Sequence, residues 1–130
     1  MNIVIDTSAL LAIVTNEASK AQLISVTYGT QLLVPPSVHW EVGNAFSAML
    51  KRGRISLLQA QEALVYYQQI PLRQAPIALS EALQIAYRLN IYAYDAYLLC
   101  CAEKYRAPLL TLDQGLRYAA QQQQIALIEV

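Results

Sequence analysis

Charge is scarce in this chain. Only 14% of its 130 residues are charged, nine acidic against nine basic, for a formal net charge of zero. A protein that grips nucleic acid by bulk electrostatics carries a basic excess, so any such contact here must be local. Disordered chains are polar and charged, and a sequence that is 56% apolar is not one of them. No apolar run approaches the roughly 18 residues a membrane span needs. No basic segment precedes a cleavable apolar stretch at the N-terminus, so no secretory signal is visible and a cytoplasmic location is expected. The two cysteines, Cys100 and Cys101, are adjacent, a poor geometry for a mutual disulfide. Buried free thiols in a reducing compartment are the expectation. A glycine-rich turn after the first strand, needed for dinucleotide binding, is missing. So is any G-x-S-x-G nucleophile elbow.

What is present is an alternation of short apolar runs with helix-compatible segments. Ile3-Val4-Ile5 forms a β-branched run typical of a buried strand. The pattern then predicts helices over 9–15 and 18–28, a strand over 32–34, and a helix over 38–52 capped by Ser37. A helix over 56–69, a brief strand over 70–73, and helices over 78–89 and 94–105 follow. A strand over 108–112, a helix from Asp113 into the glutamine run, and a last strand over 125–130 complete the chain. Strands alternating with helices imply an α/β fold, a parallel sheet with helices on both faces. At this length one domain, 1–130, with a sizeable core is expected.

Aspartate occurs three times, at Asp6, Asp95 and Asp113, each at a predicted strand end or helix start. Open parallel sheets gather ligands at the carboxyl ends of their strands, although an aspartate there also caps the following helix. Asp95 shares a helix face with Leu98, Leu99 and Ala102. Glu41 borders the apolar stripe of its helix, three residues from Val38 and four from Ala45, with Asn44 one turn on. A glutamate so placed is either favoured by the helix dipole or bound to a partner. No lysine or arginine stands beside any of the four acids. Like charges about 4 Å apart cost about 4 kcal/mol at an effective dielectric of about 20, so four converging carboxylates would take up protons or cations. An all-oxygen set suits Mg²⁺ or Mn²⁺ rather than zinc. His39, two residues from Glu41, points to another helix face and is read as a packed or surface histidine.

These residues resemble a PIN domain, and in particular a VapC-type toxin ribonuclease. The matching pieces are I-V-I-D-T-S-A-L at Ile3–Leu10, W-E-V-G-N-A at Trp40–Ala45, Y-D-A-Y-L-L at Tyr94–Leu99 and A-E-K-Y-R-A-P-L-L-T-L-D at Ala102–Asp113. Each piece is weak alone, whereas their order and spacing together are specific. The resemblance implies a three-layer α/β/α sandwich around a central parallel, Rossmann-like sheet. It implies a metal-binding and catalytic quartet of Asp6, Glu41, Asp95 and Asp113 that holds Mg²⁺ or Mn²⁺. Thr7, Ser8, Asn44 and Thr111 would be polar groups supporting it. Some relatives carry a further acid just beyond the fourth, where this chain has Gln114 and Gly115.

The resemblance further implies hydrolysis of RNA phosphodiester bonds by in-line water attack, leaving a 5′-phosphate and a 3′-hydroxyl. A cognate antitoxin would be a partner. The high apolar content suggests a homodimer. Lys51, Arg52 and Arg54 around Gly53 are candidate RNA phosphate contacts, or a helix end with favourable positive charge. Tyr92, Tyr94 and Tyr97 around Asp95 are candidate base stackers, or packing residues. A haloacid-dehalogenase-like phosphatase would need a second aspartate where Ser8 stands. The rival to the enzyme is a catalytically weak or inactive PIN-like protein serving as an interaction module.

Overall fold

The computed structural model describes residues 1–130. Four short strands, β1 (Asn2–Ile5), β2 (Gln31–Val34), β3 (Leu72–Gln74) and β4 (Leu109–Leu110), form one sheet in the order β3-β2-β1-β4. Every pairing is parallel, with Ile3 opposite Leu32, Leu32 opposite Leu72, and Val4 opposite Leu109. Seven helices connect them: α1 (Thr7–Val14), α2 (Lys20–Thr27), α3 (Ser37–Lys51), α4 (Leu57–Gln69), α5 (Leu79–Leu89), α6 (Ala93–Tyr105) and α7 (Gln114–Gln122).

The strand order dictates the layers. The chain steps outward from β1 to β2 to β3, then crosses back to β4 on the other side of β1. Parallel crossovers are right-handed, so a reversal of direction moves the connecting helices to the opposite face. Helix α1 accordingly packs against α2, α3 and α4, while α5 packs on α6, and α6 lies on β1 and β4. This is the expected α/β/α sandwich. Its core is one cluster of 32 buried residues, with Ile3, Ile5, Leu10, Leu33, Leu99, Leu109 and Leu110 fully enclosed. Burying each such side chain contributes about 1.5–3 kcal/mol.

Several boundaries depart from the sequence expectations. Helix α3 begins at Ser37 rather than after it, because Pro36 already holds helical angles (φ −55°, ψ −26°), and Ser37 forms no cap. Strand β3 starts two residues late, since Ile70 closes α4 and Pro71 has no N–H to give a ladder. The strand expected over 108–112 shrinks to Leu109–Leu110. Beyond it, the Leu112 and Asp113 amides donate to the Ser8 and Thr111 hydroxyls instead of to a neighbouring strand. The strand expected over 125–130 is a single parallel bridge from Leu127 to Leu109, because so short a β4 offers one rung. By contrast, Ser56 makes a full capping box with Gln59 at the start of α4, and Gly53 (φ +68°) ends the turn after α3.

Candidate active site

The direction of the chain reverses at β1, which sits between β2 and β4. In an open parallel sheet, the crevice outside the strand ends at such a switch point is where ligands bind. Asp6 leaves β1 there, and Thr111 and Asp113 leave β4 beside it. The Asp6 amide donates to the Leu110 carbonyl at 3.2 Å, which ties the two strand ends together.

Asp6 is only 4% exposed, yet each of its oxygens has a donor. Oδ1 accepts from the Ser8 hydroxyl at 2.7 Å and from the Ala9 amide at 3.1 Å. Oδ2 accepts from the Thr111 hydroxyl at 2.5 Å. Asp6 therefore does cap α1, and its second oxygen is engaged across the sheet at the same time. Burial raises its carboxyl above the ordinary value. The Thr111, Ser8 and Ala9 bonds pull it part of the way back, and the negative charge of Asp113 pushes it up again. Thr111, fully buried, also accepts the Asp113 amide at 3.0 Å. The exposed Asp113 caps α7 by accepting from Gly115 at 3.2 Å.

Glu41 comes from the second turn of α3 and is half-buried. Its Oε2 is buried without a hydrogen-bond partner. Burial raises its carboxyl most. The nearby Ser37 hydroxyl offsets part of the rise without forming a well-directed hydrogen bond, and the charges of Asp6 and Asp95 add to it. Asp95, in the first turn of α6, is likewise raised by burial and then by Asp113. The four acids thus form a closed ring of repulsion: Asp6 with Asp113, Asp113 with Asp95, Asp95 with Glu41, and Glu41 with Asp6. The chain's one ion pair, Arg117 with Glu129 at 3.6 Å, leaves all four without a basic partner.

The donor chemistry suits a hard cation. All the candidate ligands are carboxylate oxygens, one buried oxygen lacks a partner, and no cation neutralises the group. No three acidic, histidine or cysteine side chains close into a ready-made cage for one ion, however. Mg²⁺ retains several waters and takes one or two carboxylates directly, so the looser ring is compatible with it through water-bridged contacts.

The polar neighbours divide into two kinds. Ser8 and Thr111 bond to Asp6. Thr7, whose Oγ1 is buried and unpartnered, and Asn44 instead line an adjacent cleft of about 310 Å³ with Trp40, Glu41, Ala45 and Tyr94. His39 turns away from Glu41 to meet the Tyr67 hydroxyl at 3.1 Å, a packing role. Lys51, the last residue of α3, stands about 15 Å along the helix from Glu41 at a rise of about 1.5 Å per residue, and Arg52 and Arg54 follow beyond the helix end. Arg54 lines a different cavity with the C-terminal end of α1. Trp40 is the residue the sequence did not single out. Its signal is a tryptophan immediately before the only glutamate of its helix.

Comparison with known proteins agrees with this architecture. A family model described as "PIN domain" matches residues 3–122. The chain is 30% identical over 122 residues to the VapC ribonuclease Mb0985 of Mycobacterium bovis and, to the same extent, to ribonuclease VapC9 of Mycobacterium tuberculosis, covering 93% of each partner in both cases. Among solved structures it resembles PAE2754 from Pyrobaculum aerophilum (TM-score 0.72, 24% identity, 92% of this chain and 79% of that one). It also resembles Mycobacterium tuberculosis VapC20, a sarcin-ricin loop cleaving toxin, with a TM-score of 0.67, 16% identity and 98% of both chains covered. VapBC2 from Rickettsia felis, solved on a fragment of promoter DNA, gives the same TM-score at 14% identity over 98% of both chains. A match that runs from β1 into the last turn of α7 takes in every strand and helix described here, and the chain belongs to the PIN domain family.

Proposed function

We propose that the protein is a Mg²⁺- or Mn²⁺-dependent endoribonuclease and the toxin of a type II toxin–antitoxin pair. The observation that carries the chemistry is the set of four mutually repelling acids without a basic partner, together with the buried, unpartnered Oε2 of Glu41. The ribonuclease names of relatives aligned over nearly the whole chain supply the substrate class. The antitoxin rests on the VapBC name of a structural neighbour.

In this proposal Asp6, Asp95, Asp113 and Glu41 hold one or two divalent cations. Such an ion, when bound, lowers the pKa of water and neutralises charge developing on the scissile phosphate. The chain's own part is positional. Ser8 and Thr111 fix the Asp6 carboxylate in one rotamer, and Thr111 holds the start of the Asp113 turn through its amide. The N-termini of α1 and α7, capped by Asp6 and Asp113, add positive potential where an anionic phosphate would lie. No nucleophilic side chain is required, and both cysteines are buried away from solvent. Lys51 ends α3 about 15 Å from Glu41, with Arg52 and Arg54 beyond it, so we assign the three no part in the cut itself. The proposed setting is cytoplasmic, in keeping with the absence of any helix long and apolar enough to cross a membrane.

A second reading, an interaction module without activity, is favoured by the absence of a closed three-ligand cage. Incubation with total RNA in Mg²⁺ or Mn²⁺, with chelator and Asp6→Asn controls, separates the two. Discrete fragments bearing 5′-phosphates, lost in both controls, are expected. Cleavage that persists in Asp6→Asn refutes the site assignment, and intact RNA under all conditions refutes the enzyme.

A further inference from the structure

The cleft beside the acids is walled by two exposed aromatic rings. Trp40 is 76% exposed and Tyr94 60% exposed, unusual for side chains whose rings carry so much apolar area. Both line the same cleft as Glu41, Asn44 and Thr7. Each of Thr7, Trp40 and Tyr94 is the immediate chain neighbour of one of the acids: Asp6, Glu41 and Asp95. The three segments that bring carboxylates to the switch point therefore bring the walls of this cleft with them.

Neither ring is loose. Trp40 meets the edge of His39 with centroids 4.8 Å apart and planes at 72°, and His39 is fixed from behind by the Tyr67 hydroxyl. Tyr94 meets Tyr97 edge-on at 5.9 Å and 87°. Rings braced on one edge and bare elsewhere are preorganised to stack on a third planar group. At about 310 Å³ the cleft falls at the small end of ligand-binding cavities. Thr7 and the exposed Asn44 complete its lining. Other exposed tyrosines, Tyr28, Tyr87 and Tyr92, line none of it.

We infer that Trp40 and Tyr94 stack an unpaired nucleobase of the RNA strand next to the bond to be cut. The inference rests on the ribonuclease reading and deepens it: the substrate is RNA whose bases are free to leave the helix, recognised through a ring and not through phosphate charge alone. A duplex keeps its bases stacked within itself and is excluded from the cleft. A near-neutral protein fits this mode, because sequence-tolerant stacking supplies affinity where a basic surface is lacking.

Trp40 is the only tryptophan, so its fluorescence reports this cleft alone. In an Asp6→Asn background with Mg²⁺, we expect quenching by short single-stranded RNA. We expect none by the matched duplex, and none by an oligomer carrying an abasic ribose at the position that quenches. Trp40→Ala should weaken binding, followed by anisotropy of a labelled RNA, by roughly 5- to 150-fold, the span of one base–aromatic stack. Trp40→Phe should restore most of it, and Tyr94→Phe should match the parent while Tyr94→Ala does not. With Asp6 intact, Trp40→Ala should raise KM and leave kcat nearly unchanged. RNA that binds by anisotropy without quenching, or equal affinity for the abasic oligomer, overturns the inference while the nuclease stands. Loss of affinity in Trp40→Ala that accompanies dissociation of a dimer in sedimentation overturns it too, and assigns the rings to an interface between copies. A wild-type protein that neither binds nor cuts any RNA removes the ribonuclease reading itself.

Discussion

Replacing Thr111 with valine removes one oxygen and almost no volume. That oxygen donates to a buried carboxylate at 2.5 Å and accepts the Asp113 amide at 3.0 Å. A hydrogen bond to a charged group is worth about 1.5–3 kcal/mol, and an ordinary one about 0.5–1.5 kcal/mol. Burying the extra methyl returns about 0.8 kcal/mol. We expect Thr111→Val to destabilise the metal-free protein by about 2 kcal/mol at pH 7.5, a Tm loss of roughly 6–10 °C for a domain of this size. The sign of its pH dependence is diagnostic. The Thr111 bond lowers the Asp6 carboxyl's pKa, so without it the folded state binds that proton more tightly. The Tm deficit must then shrink as the pH falls toward 4.5. Thr111→Ser keeps the hydroxyl and should show a small, pH-independent deficit from the lost methyl. Differential scanning calorimetry of the three proteins at both pH values decides the matter. A valine deficit that is equal at both would refute the claim that the bond acts on an ionised Asp6.

Two further outcomes follow from the same electrostatics. Asp6, Glu41 and Asp95 all have carboxyls raised above their ordinary values. The stability they contribute is full below the unfolded values near 4 and is lost as pH rises through the higher folded ones. The metal-free Tm should fall as the pH is raised above about 4, and Mn²⁺ should recover it at neutral pH; scanning fluorimetry that finds no response to Mn²⁺ contradicts this. Burial raises both thiols, the Cys101 thiol up to about 12, with the neighbouring Cys100 adding to the rise. Neither should react with a colorimetric disulfide reagent at pH 8 in the native protein, and both should react in urea.

The sequence carried the fold where local signals agreed. Ile3-Val4-Ile5 ends at an aspartate, Ser56 stands three residues before Gln59, and Asn90 follows an amphipathic run; each marks a boundary the structure keeps. It misled where tertiary partners replaced the ladder. Leu112 has the look of a strand residue, but its amide is taken by Ser8, more than a hundred positions away, and no local pattern encodes that bond. Asp6, Asp95 and Asp113 were legible as candidates because the chain has only three aspartates, each next to a strand end or a helix start, and Glu41 because it borders the apolar stripe of α3. The division of their neighbours was not. Thr7 and Ser8 are adjacent and chemically alike, yet the Ser8 hydroxyl bonds to Asp6 while that of Thr7 is buried without a partner. Nor does sequence distinguish Trp40 as a wall of that cleft from Trp40 as a core residue, since the distinction lies in exposure.

The central claim is that four acids from separate segments act together on a divalent cation. Titration of Mn²⁺ into the protein, followed by electron paramagnetic resonance of the free ion, tests this without any RNA. We expect one or two ions bound per wild-type chain, and binding abolished in Asp6→Asn/Asp95→Asn protein that calorimetry shows to be folded. Undiminished Mn²⁺ binding in that double variant, or none in the wild type, would contradict the account.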